Sequence, residues 1–488
     1  MKMDVSWKDI TLVMPMVAIF LTSLIPITIK VLRGNREQNP LATLIQGLSG
    51  LLIALGLLVV VGTIADGASA FNNALLFDPI TQWLGAVAII SAGASLVMMY
   101  ENPATKGEQF SELTFLTMSS VVGMLILVAA VDLLTVFIGM EMMSLSLYLM
   151  IGMSHEEKLS KEAALKYFIL GSFASAIFLF GTAYIFGTTG STNILNFIQD
   201  TAGLVQSNRL FLFGITFVMI GFCFKVSIAP FHAWTPDVYQ GAPTPHAAFM
   251  ATAVKAVSFA AFLRLVATKS LVGSANLFDV LQWLAVITMI VGNVAAILQN
   301  NLKRMLAYSS ISHSGYILIG LITAGVSDDG SFGASSVIFY LLSYSIMTLG
   351  SFALISMMEK NPESITNVDD LAGLAKSRPV LALCFTVFML SLAGLPPTLG
   401  FFSKFYLFSS AIKEGLLWLA LWGVINSVIS VYYYLRPVVT MYMKEGDAQI
   451  AGHNLTATTV TIFVSALFIA LLGFVSGPIF SAVERSFL

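Results

Sequence analysis

Apolar runs of about 20 residues recur along this chain, and that is the length a helix needs to cross the ~30 Å hydrocarbon core of a bilayer at ~1.5 Å per residue. They fall near 10–30, 41–63, 80–99, 114–131, 133–152, 163–187, 208–229, 243–267, 277–299, 303–324, 335–358, 379–412, 416–440 and 457–478. None has the strict apolar–polar alternation of a barrel strand, so helices are left as the backbone form that satisfies every peptide group in lipid. The chain is 57% hydrophobic and 10% charged, whereas soluble domains carry about 25% charged residues. The expected fold is an all-α membrane protein of about fourteen transmembrane helices.

Several functions are excluded on composition. A net charge of −2 without a long basic run gives nucleic acid nothing to bind. Cys223 and Cys384 stand alone in apolar segments and fit neither a disulfide framework nor a zinc or iron–sulfur spacing. No GxGxxG or Walker pattern occurs, and the loops are too short for a flavin or nucleotide domain, so redox chemistry belongs on partners. The polar start, Met1 to Ile10, runs into a full-length span, and the first helix is expected to be retained. Placing both termini outside puts Lys30, Arg33, Arg36, Lys158, Lys161, Lys303, Arg304, Lys376 and Arg378 on the cytoplasmic side, as the positive-inside rule favours.

Two segments break the helical pattern beside a lysine: Phe224-Lys225-Val226-Ser227-Ile228-Ala229-Pro230 and Gly394-Leu395-Pro396-Pro397-Thr398 leading to Lys404. Proline removes a backbone donor, so prolines at membrane depth imply an unwound helix that lines a cavity. Spans four to eight and nine to thirteen would each hold five helices, an odd number, which places the two units in opposite orientation. The expected division is a three-helix segment over 1–112, a first repeat over 113–270, an inverted second repeat over 275–445, and a C-terminal helix in 446–488. Two inverted five-helix repeats with two discontinuous helices place ion sites near the midplane.

An ionisable group at the bilayer centre costs at least ~2.5–3.5 kcal/mol on insertion scales, so each one needs a reason. Glu141, Lys225 and Lys255 lie isolated within apolar spans, Lys404 follows the second break, and Lys166 lies just inside its span. In general, burial favours a neutral lysine and a nearby carboxylate favours the charged form. A lysine whose glutamate partner moves is therefore able to hold or release a proton. The opposing reading is a static buried pair, or for Lys166 a side chain reaching the interface. Arg264 and Asp132 lie near span ends, where an interfacial role is expected. His313 sits among hydroxyls (Tyr308-Ser309-Ser310-Ile311-Ser312-His313-Ser314) and is a candidate proton carrier or a satisfied core residue. His232 and His246 flank a loop and are expected to cap or shape it. No histidine has a second ligand at i+3 or i+4, so no metal site is expected.

The runs FKVSIAPFHAWTPDVYQGAPTPHAAFMATAVKAVSFAAFLR (Phe224 to Arg264), NLKRMLAYSSISHSGY (Asn301 to Tyr316) and GLPPTLGFFSKF (Gly394 to Phe405) resemble the antiporter-like membrane subunits of bacterial NADH–quinone oxidoreductase, respiratory complex I. YQGAPTP, with lysine at 255 where many related subunits carry histidine, matches the N type over the L and M types and over multisubunit cation antiporters. The resemblance implies a multi-pass subunit of the bacterial inner membrane within a complex that oxidises NADH, reduces quinone and pumps protons. It implies that other membrane and peripheral subunits are the partners and that FMN and iron–sulfur clusters sit on them, with no cofactor in this chain. It further implies that Glu141 pairs with Lys225 on the first broken helix, and that Lys255 passes the proton to Lys404 on the second. The alternative is a subunit of a cation/proton antiporter.

Overall fold

The computed structural model describes residues 6–34, 39–64, 67–105, 109–153, 158–197, 201–266, 275–327, 330–359, 366–448 and 457–487. Helices α1 (Trp7–Leu32), α2 (Pro40–Ile64), α3 (Pro79–Glu101), α4 (Phe110–Ala129), α5 (Leu133–Met153) and α6 (Lys158–Thr189) form the first part. A two-stranded antiparallel hairpin, Ala68–Ala70 with Leu75–Phe77, joins α2 to α3, so the chain is not strictly all-α; the hairpin lies in a connection outside the spans. After two short helices come α7 (Arg209–Lys225), α8 (Trp234–Gly241) and α9 (Thr244–Val266). The second part holds α10 (Ala275–Ile297), α11 (Leu302–Val326), α12 (Ser331–Met358), α13 (Pro379–Ala393), α14 (Leu399–Lys413) and α15 (Leu417–Met443), followed by α16 (Ala457–Phe474) and α17 (Ser476–Arg485).

Polar residues at the span ends set where helices start. Ser6 and Asp9 form a reciprocal cap on α1, and Asp78 caps α3 ahead of Pro79. Asn208 caps α7 and Asn301 caps α11. Each side chain takes a backbone N–H that the first turn leaves free. Twelve helices among the described residues are long and apolar enough to cross a membrane. The two other expected spans, 208–229 and 379–412, are the ones the chain interrupts. The first stops at Lys225, and the second splits into two helices of 15 residues.

Burial sorts the helices into a centre and a rim. The most apolar stretch of α9 is entirely buried and that of α11 is 94% buried, against 33% for α1. The lysine-bearing α9 and the hydroxyl-rich α11 thus form the axis of the molecule. Close approach of α10 to α11 depends on Gly292, where a Cβ would stand 2.5 Å from the Ser312 nitrogen. Within α9, residues Met250–Val254 form a π-helical turn that ends immediately before Lys255. Nothing in the residue types of this segment foretells it, and such turns concentrate at functional sites.

Candidate functional site

The prolines of the two breaks remove N–H groups at particular places. In an unbroken helix the N–H groups of residues 396 and 397 would pair with the carbonyls four residues earlier, Leu392 and Ala393. Proline has no N–H, so those carbonyls stay open at the end of α13. The Lys404 ammonium donates to both, at 3.1 and 2.9 Å, and to Ser427 Oγ at 2.9 Å. It also lies 5.0 Å from the centroid of the Tyr316 ring. Pro230 acts alike: its missing N–H leaves the Val226 carbonyl open, and Ser314 Oγ donates to it. The expected cavity lining is only part of this picture. Pro396 and Pro397 themselves face outward from the chain, and the inner side of the break is a seat for an ammonium.

Lys225, Lys255 and Lys404 are 4%, 3% and 4% exposed. Lys225 donates to Ser144 Oγ at 2.7 Å. Lys255 donates to the carbonyl and hydroxyl of Ser310 and, at 2.9 Å, to Ser314 Oγ, with the Tyr344 ring 5.4 Å away. Each of the three rests on at least one serine, and among the described residues none has a carboxylate within the 4.0 Å of an ion pair. A serine oxygen accepts an N–H from an ammonium or from a neutral amine alike, and Ser144 and Ser314 keep their own hydrogens on the Met140 and Val226 carbonyls. These seats therefore suit both protonation states.

Two other buried cations behave differently. Lys303 meets Glu359 at 3.2 Å and the Ala242 carbonyl at 3.1 Å; Glu359 also accepts from Asn102 and Thr244. Arg264 forks onto Asp78 at 2.7 and 2.6 Å and adds bonds to Thr81 and the Val128 carbonyl. Both cations are locked by carboxylates, the arrangement of a structural tie. Arg264 is thus a buried partner rather than an interfacial charge. Asp132 caps α5 through the N–H groups of Leu134 and Thr135 and accepts from Thr192.

The expected contact between Glu141 and Lys225 is not made. Glu141 accepts a hydrogen bond from Ser175 on α6, while Lys225 sits on Ser144, about one turn further along α5. Glu141 is half-buried and shares an outer stripe of α5 with exposed Leu134, Ile138 and Leu145, so it lies at the seam between α5 and α6 rather than deep in the bundle. Lys166 joins neither residue. It pairs with Glu162 at 2.7 Å and Asp237 at 2.8 Å, and Arg304 meets Asp237 at 2.7 Å.

His313 lies between the lysines of the axis, with Nδ1 2.7 Å from the Tyr340 hydroxyl and Nε2 2.9 Å from that of Tyr434. Tyr434 also bonds Ser309. His246 caps nothing: it is fully buried, and among the described residues both ring nitrogens lack a partner. The Nδ1 of His232 has none either. Among the described residues no three His, Cys, Asp or Glu side chains converge as a metal site.

The family model for the transmembrane region of NADH:quinone oxidoreductases and Mrp antiporters matches residues 130–430. The chain belongs to this family. Glu141, Lys225, Lys255 and Lys404 all fall inside the matched region. NADH-quinone oxidoreductase subunit N of Bdellovibrio bacteriovorus is 72% identical over 488 residues, covering all of both chains. A chain of respiratory complex I from Thermus thermophilus superposes with a TM-score of 0.82 at 30% identity, covering 96% of this chain and 99% of that one. A chain of the Mrp complex from Dietzia superposes with a TM-score of 0.83 over 98% and 97% of the two chains; at 19% identity it shows the fold alone.

Proposed function

We propose that this multi-pass chain is the N-type proton-translocating membrane subunit of a bacterial NADH–quinone oxidoreductase, with FMN and iron–sulfur centres on partner subunits. The full-length relation to a subunit N favours this over a cation/proton antiporter. Within it, protons pass along Glu141, Lys225, Lys255 and Lys404. The observation that carries the relay is that the three lysines, at most 4% exposed, rest on serines and not on carboxylates, so each is able to give up its proton without leaving a buried anion. Ser314, bonded to both Lys255 and the Val226 carbonyl beside Lys225, connects the first two lysines. His313, with its two tyrosines, fills the space between Lys255 and Lys404. The chain divides into two inverted repeats at 113–270 and 275–445, each contributing one broken helix.

The test is NADH-driven proton uptake in membranes where assembly of the complex has been measured. Lys225→Ala, Lys255→Ala and Lys404→Ala each stall pumping in an assembled complex, and Glu141→Asp keeps part of it. Full pumping by assembled Lys225→Ala would sink the relay.

A further inference from the structure

The relay begins at Glu141 on a seam between α5 and α6, and the side chains along that seam continue past it toward one membrane face. On α5, Glu141, Ser144 and Tyr148 follow one another at three- and four-residue steps. On α6, Leu159, Ala163, Tyr167, Gly171 and Ser175 follow at four-residue steps, which is a single ridge of a helix. Ser175 holds Glu141 at one end. At the other, Leu159 and Ala163 line a cavity of about 100 Å³ with Glu162, Lys166, Asp237 and Gln240.

Between the cavity and Glu141 stand two phenols. Tyr148 is 7% exposed and Tyr167 fully buried, and neither hydroxyl has a hydrogen-bond partner among the described residues. Their rings meet edge to face at 4.7 Å, and Tyr167 stacks at 4.7 Å on Trp234, the first residue of α8, which lines the cavity through its other end. The Tyr148 hydroxyl lies near Ser144, the seat of Lys225, without meeting hydrogen-bond geometry. It occupies the space that Gly171 leaves free, where a Cβ would stand 2.1 Å from it. Both phenols lie within electrostatic reach of Glu141. Buried hydroxyls are almost always bonded, to protein or to ordered water, and a polar site that lacks protein partners is where buried water belongs.

We infer that this seam is the proton-entry path of the relay: the cavity between α6 and α8 is its mouth, and water held by the Tyr167 and Tyr148 hydroxyls carries protons from there to Glu141. The charged rim of Glu162, Lys166 and Asp237 gathers water at the mouth. Each hydroxyl or water along the path accepts one proton and passes on another, only O–H bonds change, and the net result is one proton moved from bulk water to the Glu141 carboxylate. Tyr148 and Tyr167 are positioning residues for water, and Gly171 is what lets the first of them point into the seam. The inference rests on the relay reading of Glu141.

The experiment uses Tyr148→Phe, Tyr167→Phe, the double variant and Gly171→Ala in the assembled complex. Phenylalanine keeps the ring packing and removes only hydroxyls that bond none of the described residues, while Gly171→Ala leaves both phenols in the chain and displaces one. The double variant is expected to lose at least about tenfold in proton uptake rate at neutral pH and to recover as pH falls, because proton delivery has become limiting. Gly171→Ala follows the same pattern. Wild-type uptake in the double variant overturns the inference, as does a loss that is the same at every pH, which marks a structural role. Glu141→Gln separates the two readings. If it stalls pumping while the tyrosine variants pump normally, the entry path fails and the relay stands; if Glu141→Gln and Lys225→Ala both pump normally, the relay itself fails.

Discussion

Methionine at position 255 and methionine at position 303 are the same chemical change at two buried lysines, and opposite outcomes follow from their surroundings. Lys303→Met removes the one cation that bonds Glu359 among the described residues, which leaves it with the neutral donors Asn102 and Thr244. Breaking a buried pair in this way costs about 3–5 kcal/mol. Lys255→Met strands no carboxylate. It forfeits hydrogen bonds of the charged kind, about 1.5–3 kcal/mol, but also removes the desolvation cost of an ammonium, several kcal/mol, and Ser314 keeps its bond to Val226. The two changes should differ by at least ~2–4 kcal/mol, a factor of roughly 30 to 900 in an equilibrium constant. Thermal denaturation of the purified complex, with immunoblots of assembled subunits, measures the first half. Lys303→Met should assemble poorly and melt early, while Lys255→Met should resemble the wild type. Proton uptake measures the second half: Lys255→Met should not pump, and whatever Lys303→Met complex assembles should. Equal destabilisation by the two variants would refute the division of buried cations into locked and seated kinds.

Three further outcomes are expected. Pro396→Ala with Pro397→Ala restores the N–H donors that pair with Leu392 and Ala393, takes two acceptors from Lys404, and should lower proton uptake more than it lowers complex content on a native gel. Gly292→Ala places a methyl 2.5 Å from the Ser312 backbone nitrogen, where neither helix has a side chain able to yield; overpacking of ~1–3 kcal/mol or more should appear as a lower melting temperature. Cys223→Ser and Cys384→Ser should leave both assembly and turnover nearly unchanged, since isolated cysteines among apolar groups act as small hydrophobes; loss of an iron–sulfur signal from the complex on either change would contradict this.

The sequence made the spans legible because lipid leaves one way to satisfy a peptide backbone, and it made the breaks legible because proline lacks a donor wherever it stands. Buried charges such as Lys225, Lys255 and Lys404 also announced themselves, through the cost of placing them there. Their seats did not. Ser144, Ser310, Ser314 and Ser427 look like any small polar residue of a membrane helix, and only the packing of distant helices reveals that each faces an ammonium. The distance between Glu141 and Lys225 was hidden for the same reason. Spacing along α5 puts Ser144 about one turn past Glu141, yet nothing local says which of the two the lysine meets. The ties of Lys303 to Glu359 and Arg264 to Asp78 were obscured because all four lie near span ends, where charges are ordinarily solvated.

The π-turn at Met250–Val254 carries a consequence for how Lys255 came to point where it does. Relative to an uninterrupted α-helix, such a turn accommodates an extra residue, and one residue more or less rotates everything beyond it by roughly 100° about the helix axis. Upstream, the helix keeps Thr244 aimed at Glu359; downstream, it aims Lys255 at Ser310 and Arg264 at Asp78. Both aims cannot be held by one straight ladder of hydrogen bonds with the same residues. The bulge acts as a phase adjuster between a structural tie at one end and the serine seat of Lys255 in the middle, so shortening the helix there by a single residue would turn Lys255 away from its serines while leaving its depth in the membrane almost unaltered.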